Sequence, residues 1–173
     1  MNITLPLSQL VSGKTLQLSG SKSESNRALL LQAFFPELQI KNLSTADDTL
    51  LLQRALQSEE VTIDIHHAGT AMRFLTAYFA TQVGREVLLT GSARMKERPI
   101  HLLVEALQRL GADIHYGERD GFPPLYIKGV RLNEKEVRIR GDVSSQFLSA
   151  LLLIAPSLSN GLTLILEGEL TSV

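Results

Sequence analysis

The feature that most constrains the fold of this chain is a pattern that occurs three times. Each copy has an alternating apolar stretch, then glycine with serine or threonine, then a long polar residue and an apolar helical run. The stretches begin at residues 15, 62 and 137, and the long polar residues are Arg27, Arg73 and Gln146. Helical runs that are apolar on nearly every side are typical of buried helices. The repetition predicts strand–helix units whose equivalent loops lie on one face.

The repeats place glycine and hydroxyl side chains where helices begin. The free N–H groups and the positive dipole end of a helix favour an anion there. In the first repeat Lys22 and Arg27 add two cations. Serine before a helix is also an ordinary cap, so one copy alone would indicate only capping. Three copies directed at one place predict an anion-binding site.

Composition limits where such a site can be. The chain of 173 residues has 17 basic and 18 acidic side chains, so no global field marks a nucleic-acid or membrane binder and the site must be local. The absence of cysteine excludes disulfides, thiolate catalysis and cysteine-based zinc sites. His66 and His67 are adjacent and do not have metal-ligand spacing, so we expect no metal site. The sequence shows neither a signal peptide nor a membrane span, and a cytoplasmic protein is expected.

The elements predicted from the patterns form an α/β (α+β) fold. The unit at about 61–130 has the order β-α-β-α-β-β, the unit at about 14–60 lacks the closing hairpin, and the unit at about 136–173 is incomplete. An incomplete unit leaves a helix uncovered and a sheet edge open, so the chain is expected to be part of a longer protein. Strands are predicted at residues 2–8, 14–19, 39–43, 62–65, 86–89, 113–116, 125–128, 137–140 and 162–166, and helices at 28–35, 44–57, 74–80, 100–110 and 147–156.

Residues 90–99 form a charged connection that contains Arg94, Lys96 and Arg98. It follows the carboxyl end of a strand, where open α/β sheets commonly place ligand loops. Arginine also suits bidentate binding of phosphate or carboxylate. A solvated loop with weak surface ion pairs has the same composition. The residues alone leave an anionic small-molecule site and a purely structural loop both open.

Four motifs run through the chain in a fixed order: Gly20-Ser21-Lys22-Ser23-Glu24-Ser25-Asn26-Arg27-Ala28, Ala68-Gly69-Thr70-Ala71-Met72-Arg73, Arg94-Met95-Lys96-Glu97-Arg98-Pro99 and Val143-Ser144-Ser145-Gln146-Phe147. Together they closely resemble the 5-enolpyruvylshikimate-3-phosphate synthase family. The resemblance implies two similar domains, each of three β-α-β-α-β-β units with buried helices and outer sheets, the enolpyruvyl transferase-like inside-out α/β barrel. Residues 1–173 would be most of the N-terminal domain, and the C-terminal domain would be the main structural partner.

The resemblance also implies a function. Members of the family are transferases that move the enolpyruvyl group of phosphoenolpyruvate to the 5-hydroxyl of shikimate 3-phosphate and release phosphate. This step of aromatic amino acid biosynthesis, in the shikimate pathway, needs no cofactor or metal and is the target of glyphosate. Their acid/base carboxylates lie in the C-terminal domain, so no catalytic residue is assignable here and this chain alone is expected to show no turnover.

Substrate-binding residues follow from the resemblance motif by motif. Lys22 would contact both substrates, Gly69 and Arg94 would bind phosphoenolpyruvate, and Gln146 would reach both ligands. The residues expected to hold shikimate 3-phosphate are Ser23, Arg27, Ser144 and Ser145. Of these, Ser144 and Ser145 would hold its phosphate group. Phosphates and carboxylates need such cations and N–H groups, and glycine lets the backbone approach a ligand closely.

The chain departs from the family pattern near Gly69. His67 stands where the family usually has asparagine, and Phe74 where it usually has proline. The residues also allow two alternative functions. A UDP-N-acetylglucosamine enolpyruvyl transferase usually carries a reactive cysteine and a different first motif, so it fits less well. A non-catalytic domain that self-associates through its open edge would show a concentration-dependent mass in solution.

Overall fold

The computed structural model describes residues 3–4, 6–9 and 12–168. The α-helices are α1 (Lys22–Phe34), α2 (Asp47–Gln57), α3 (Gly69–Thr81), α4 (Ala93–Lys96), α5 (His101–Arg109) and α6 (Ser145–Ile154), and a 3₁₀ turn follows α6 at Ala155–Ser157. The strands are β1 (Thr62–Asp64), β2 (Glu86–Thr90), β3 (Asp113–Tyr116), β4 (Leu125–Lys128), β5 (Glu136–Arg140) and β6 (Thr163–Glu167).

The first sheet is built by the second unit and has the order β1-β2-β4-β3. β1 pairs parallel to β2, with Ile63 opposite Leu89. β4 pairs antiparallel to both β2 and β3, which confirms the predicted hairpin. The alternating burial of β2 and β4 follows from one face packing against helices. The unit therefore has the predicted β-α-β-α-β-β order, with α4 as an addition.

The second sheet contains β5 and β6, which pair parallel with Val137 opposite Leu164. The connection between them is α6 and the 3₁₀ turn, so this is a β-α-β unit. Residues 169–173, where the sequence predicted a truncated third unit, lie outside the described residues.

The helix α3 is the centre of the hydrophobic core. Ten of its thirteen residues are buried, and it packs against α1, α2, α5, α6 and strands β2 and β4. Phe74 and Leu75 are fully buried on it. The prediction of an apolar, buried helix is confirmed for α3. Burial of α1 and α6 is one-sided, because α1 buries only four of its residues and Leu152 of α6 is exposed.

The first unit differs from the prediction. Residues 14–19 and 39–43 are described and contain no strand, so both strand predictions are wrong. Residues 3–4 and 6–9 also show no strand, while the rest of the predicted strand 2–8 lies outside the described residues. Leu16 and Leu18 are largely exposed, so this stretch has no sheet to pack on. An extended segment becomes a strand only when a neighbour accepts its hydrogen bonds.

The architecture places sheets outside a layer of buried helices, as the α/β prediction required. No closed barrel forms among the described residues. The part of the chain that the structure describes has no helix long and apolar enough to cross a lipid bilayer.

Candidate anion-binding site

Helices α1, α3 and α6 pack against one another, and their first turns differ in how they are capped. The Ser21 hydroxyl accepts the Glu24 N–H at 3.4 Å, and the Ser144 hydroxyl accepts the Gln146 N–H at 3.4 Å. The ordinary capping interpretation therefore holds for these two serines. No side chain caps α3, where Ala68 is the N-cap and Gly69 the first residue. The beginning of α3 thus keeps free N–H groups and positive dipole potential.

Arg27 is held rigidly between α1 and α6. Its Nη1 donates to the Ser23 carbonyl oxygen at 2.9 Å, and its Nη2 donates to the Ser149 hydroxyl at 3.0 Å. The guanidinium also lies 5.7 Å from the centroid of the Phe74 ring on α3. These contacts fix the direction in which Arg27 presents its charge.

Gln146 connects the first turn of α6 with that of α3. Its Nε2 donates to the Thr70 hydroxyl at 3.3 Å. Thr70 directly follows Gly69, so the structure brings Gln146 next to the uncapped beginning of α3. Lys22 and Ser23 at the start of α1, and Ser144 and Ser145 at the start of α6, are exposed.

The charged connection after β2 is joined to the turn after β1. Because β1 and β2 are parallel, their carboxyl ends lie at the same edge of the sheet. The Ser92 N–H donates to the His66 carbonyl oxygen at 3.1 Å, and the Ser92 hydroxyl lies 2.8 Å from His67 Nδ1. A side chain on Gly91 would lie 2.7 Å from the His66 carbonyl oxygen, so glycine permits this approach.

Ser92 also begins α4, a single turn that the sequence patterns missed. Its hydroxyl accepts the Met95 N–H at 3.3 Å, and Met95 is buried. Four residues are too few for helical periodicity to appear in the sequence. The turn anchors the connection through Met95 and leaves Arg94 exposed.

Arg98 lies directly on Gly69. A Cβ atom on Gly69 would be 2.8 Å from Arg98 Cζ, so only glycine leaves room for the guanidinium in this position. A cavity of about 610 Å³ opens here, lined by His67, Arg94, Met95 and Arg98. We call this cavity the arginine pocket.

Behind the arginine pocket, Arg73 connects α3 to the charged connection. Its Nη1 donates to the Gly69 carbonyl oxygen at 3.0 Å, and its Nη2 donates to the Pro99 carbonyl oxygen at 3.2 Å. Burial, and to a lesser extent the charge of Arg98, lowers the pKa of Arg73 to about 10. Arg73 therefore remains charged at neutral pH and adds to the positive potential around Gly69.

The arginine pocket lacks compensating negative charge. Among the salt bridges of the described residues, none includes Arg94, Arg98 or Arg73. Lys96, by contrast, forms a salt bridge with Glu118, with 2.5 Å between Nζ and Oε1, so its charge is already paired. Neighbouring arginines without carboxylate partners, beside an uncapped helix, suit a phosphate or carboxylate ligand.

The structure gathers part of the predicted site. It places Gly69 at the arginine pocket, which Arg94 lines, and Gln146 reaches the adjoining Thr70. The contacts do not join Lys22, Ser23, Ser144 or Ser145 to that pocket, and their roles stay predictions. His67, Arg73 and Arg98 were not among the residues predicted to bind substrate. Arg98 was visible in the charged connection, whereas only the fold shows that its side chain rests on Gly69.

Fold and site together define an α/β protein with an arginine-lined pocket at a helix N-terminus, a place suited to an anion. Comparison with known proteins gives a narrower description. The family model for EPSP synthase (3-phosphoshikimate 1-carboxyvinyltransferase) matches residues 51–173. The chain therefore belongs to the EPSP synthase family, and the resemblance that its motifs predicted is confirmed.

Relatives and solved structures agree with this assignment. A 3-phosphoshikimate 1-carboxyvinyltransferase of Bacteroides fragilis (strain YCH46) is 50% identical over 159 residues, covering 91% of this chain and 38% of the relative. That of Photobacterium damsela subsp. piscicida is 40% identical over 198 residues, covering 99% and 46%. The EPSP synthase structure from Acinetobacter baumannii has a TM-score of 0.68 at 21% identity, covering 81% of this chain and 38% of that chain, and supports the fold. The chain thus spans less than half the length of the curated relatives it matches.

Proposed function

We propose that this chain supplies substrate-binding groups for the transfer of the enolpyruvyl group from phosphoenolpyruvate to the 5-hydroxyl of shikimate 3-phosphate, with release of phosphate. Membership of the EPSP synthase family supports the reaction. The observation that carries the proposal is the arginine pocket at the uncapped start of α3. Two substrates that bear phosphate and carboxylate groups need such a concentration of cations and N–H donors.

Phosphoenolpyruvate is assigned to the arginine pocket. Arg94 and Arg98 supply two guanidinium groups, and the bare backbone at Gly69 lets an anionic group approach the first turn of α3. The negative charge that increases on the phosphate as it leaves would be stabilised by these preorganised donors. Arg73 would position these groups, because it donates hydrogen bonds to the carbonyl oxygens of Gly69 and of Pro99 in the charged connection.

Shikimate 3-phosphate is assigned to the beginnings of α1 and α6. Arg27 already spans these helices through Ser149, and the exposed hydroxyls of Ser23, Ser144 and Ser145 lie in the first turns or at the cap. Lys22 and Gln146 would contact both ligands, and Gln146 is the one that reaches the start of α3. The second domain expected from the family would cover these groups, supply the acid/base carboxylates and complete a metal- and cofactor-independent, cytoplasmic enzyme.

Calorimetric titration of each substrate into the chain tests these assignments. Shikimate 3-phosphate is expected to bind saturably, and both Arg27→Ala and Ser144→Ala should weaken it. Arg94→Ala should weaken phosphoenolpyruvate binding by about tenfold to a hundredfold, the value of a hydrogen bond to a charged group. Lys128→Ala is the matched control, because Lys128 is an exposed cation on β4 that pairs with Glu86.

The chain alone is expected to show no turnover, which a phosphate-release assay with both substrates would check. If Arg94→Ala and Lys128→Ala changed the phosphoenolpyruvate affinity equally, the assignment of this substrate to the arginine pocket would be contradicted. Turnover by the chain alone at the rate of a full-length relative would contradict the expected need for a second domain.

A further inference from the structure

Among the described residues that line the arginine pocket, His67 is the one imidazole. It lines the arginine pocket beside Arg94 and Arg98, and the cavity on its other side is lined by residues of α2. We propose that His67 is a pH-dependent anion-binding residue, which holds an anion in the arginine pocket more tightly when its ring is protonated. The inference deepens the function proposed above and rests on the same pocket.

The hydrogen bond to Ser92 fixes the ring in both protonation states. The Ser92 hydroxyl oxygen accepts the Met95 N–H, so its proton is free to donate to His67 Nδ1, 2.8 Å away. A neutral ring in this arrangement carries its proton on Nε2. When Nδ1 is protonated as well, it donates to the same oxygen, which has a second lone pair. Titration therefore changes the charge of the ring without releasing it from its position.

The charges around His67 make protonation and anion binding support each other. A protonated ring would add a third positive charge beside Arg94 and Arg98. An anion between the arginines offsets the repulsion among these charges, and by linkage the charged ring strengthens the anion's binding. The charged or titratable groups that line the two cavities beside His67 are Asp47, Asp48 and Arg54 of α2, His66 in the same turn, and Arg94 and Arg98.

Sulfate is the appropriate probe because its charge stays constant over the range in which histidine ordinarily titrates, about pH 5 to 8. We expect the affinity of the chain for sulfate, measured by calorimetry, to rise about fivefold from about pH 8 to about pH 6. In His67→Asn, which keeps a neutral amide donor, the pH-dependent rise in affinity should disappear.

The matched control is His66→Asn. His66 has a φ of 45°, a left-handed conformation that asparagine tolerates well, and it lines only the cavity beside α2. This variant should retain the pH-dependent rise. Circular dichroism at both pH values shows that each variant is folded.

The outcomes separate this inference from the proposed function. One outcome would overturn the role of His67 alone. In it, Arg94→Ala weakens sulfate binding, but wild type and His67→Asn show the same pH-dependent rise in affinity. The arginine pocket would then still be supported. Absence of sulfate binding at every pH would overturn the pocket and the inference together. Loss of the rise in His67→Asn alone supports the inference.

Discussion

At the scale of single residues, Gly69 has the most specific requirement in the site. Its φ is not in the left-handed region, so the backbone does not demand glycine there. The requirement comes from the Arg98 side chain, which occupies the space of a Cβ atom. The atoms that a Cβ would meet at Gly20 and Gly129 are instead backbone atoms, at Asn42 and Gln82. Substitution at these positions therefore has different consequences.

We expect Gly69→Ala to separate binding from stability. The flexible end of Arg98 can move aside, and alanine in place of glycine at an ordinary φ stabilises a fold by about 0.4–1 kcal/mol, because it reduces the entropy of the unfolded chain. The free energy of unfolding, measured with urea, should be unchanged or slightly higher, while phosphoenolpyruvate affinity falls because Arg98 is displaced. In Gly20→Ala, the new methyl group meets the Asn42 carbonyl, and a lower free energy of unfolding is expected. A Gly69→Ala protein with unchanged phosphoenolpyruvate affinity would contradict the arrangement.

Tyr116, the last residue of β3, gives a prediction on pH. Burial, with smaller effects from Glu105 and Asp120, raises the pKa of Tyr116 to about 12. A raised pKa in the folded state contributes stability that is fully present below about pH 10 and is lost as the pH rises through about 12. Phenolate absorbance of the folded chain should therefore show a late step that Tyr116→Phe removes. The free energy of unfolding of this variant, measured with urea, should fall less steeply with pH above about 10.

At the scale of elements, the periodic segments were predictable and the unpaired ones were not. Residues 100–110 were predicted as a helix ending at Gly111, and α5 with its caps covers them. The alternation at residues 14–19 resembles that of a strand equally well, yet no strand forms because no neighbour pairs with it. Likewise, the sequence showed the cations Arg94 and Arg98, but not the hydrogen bond that brings His67 to their pocket.

The attachment of α1 to α2 depends on a buried hydrogen bond that sequence patterns do not show. The Thr49 hydroxyl donates to Asn26 Oδ1 at 2.8 Å, and both residues are fully buried. Within the described part of the chain, Asn26 Nδ2 has no hydrogen-bond partner. The bond that Oδ1 accepts from Thr49 is therefore the hydrogen bond that satisfies this side-chain amide. Thr49→Val should lower the free energy of unfolding by about 1–3 kcal/mol, because it leaves a buried amide unsatisfied.

The double variant Asn26→Leu with Thr49→Val is the control for that prediction. Replacing both polar partners by apolar groups of similar shape is often nearly neutral. Urea unfolding should therefore show a smaller loss for the double variant than for Thr49→Val alone. Equal or larger loss in the double variant would mean that the hydrogen bond does not determine the cost.

At the scale of the whole molecule, the two sheets differ in how they are supported. β2 lies between β1 and β4, and its Val87 and Leu89 are buried against the helices. Among the described residues, β6 pairs only with β5, and no residue of β6 is buried. A two-stranded sheet is marginal without further packing. Stability is therefore expected to be distributed unevenly over the chain.

Hydrogen exchange followed by mass spectrometry checks this distribution. Amides of β6 should exchange roughly tenfold or more faster than those of β2, since local opening needs less free energy where few apolar contacts are lost. The control is β4, which has two partner strands and should be protected like β2. Equal protection of β6 and β2 would show that the two sheets open as one unit.

The short passage from α2 to β1 shows how such a chain can vary in length. No hairpin lies between Gln57 and Thr62, and the Arg85 guanidinium binds the Ser58, Glu59 and Glu60 carbonyl oxygens at 2.9, 2.7 and 2.7 Å. The Photobacterium match runs over 198 residues while covering 99% of these 173, so that relative is longer in places. At this connection one arginine binds three carbonyl oxygens, as a neighbouring strand does elsewhere, so two repeats are joined without a hairpin between them.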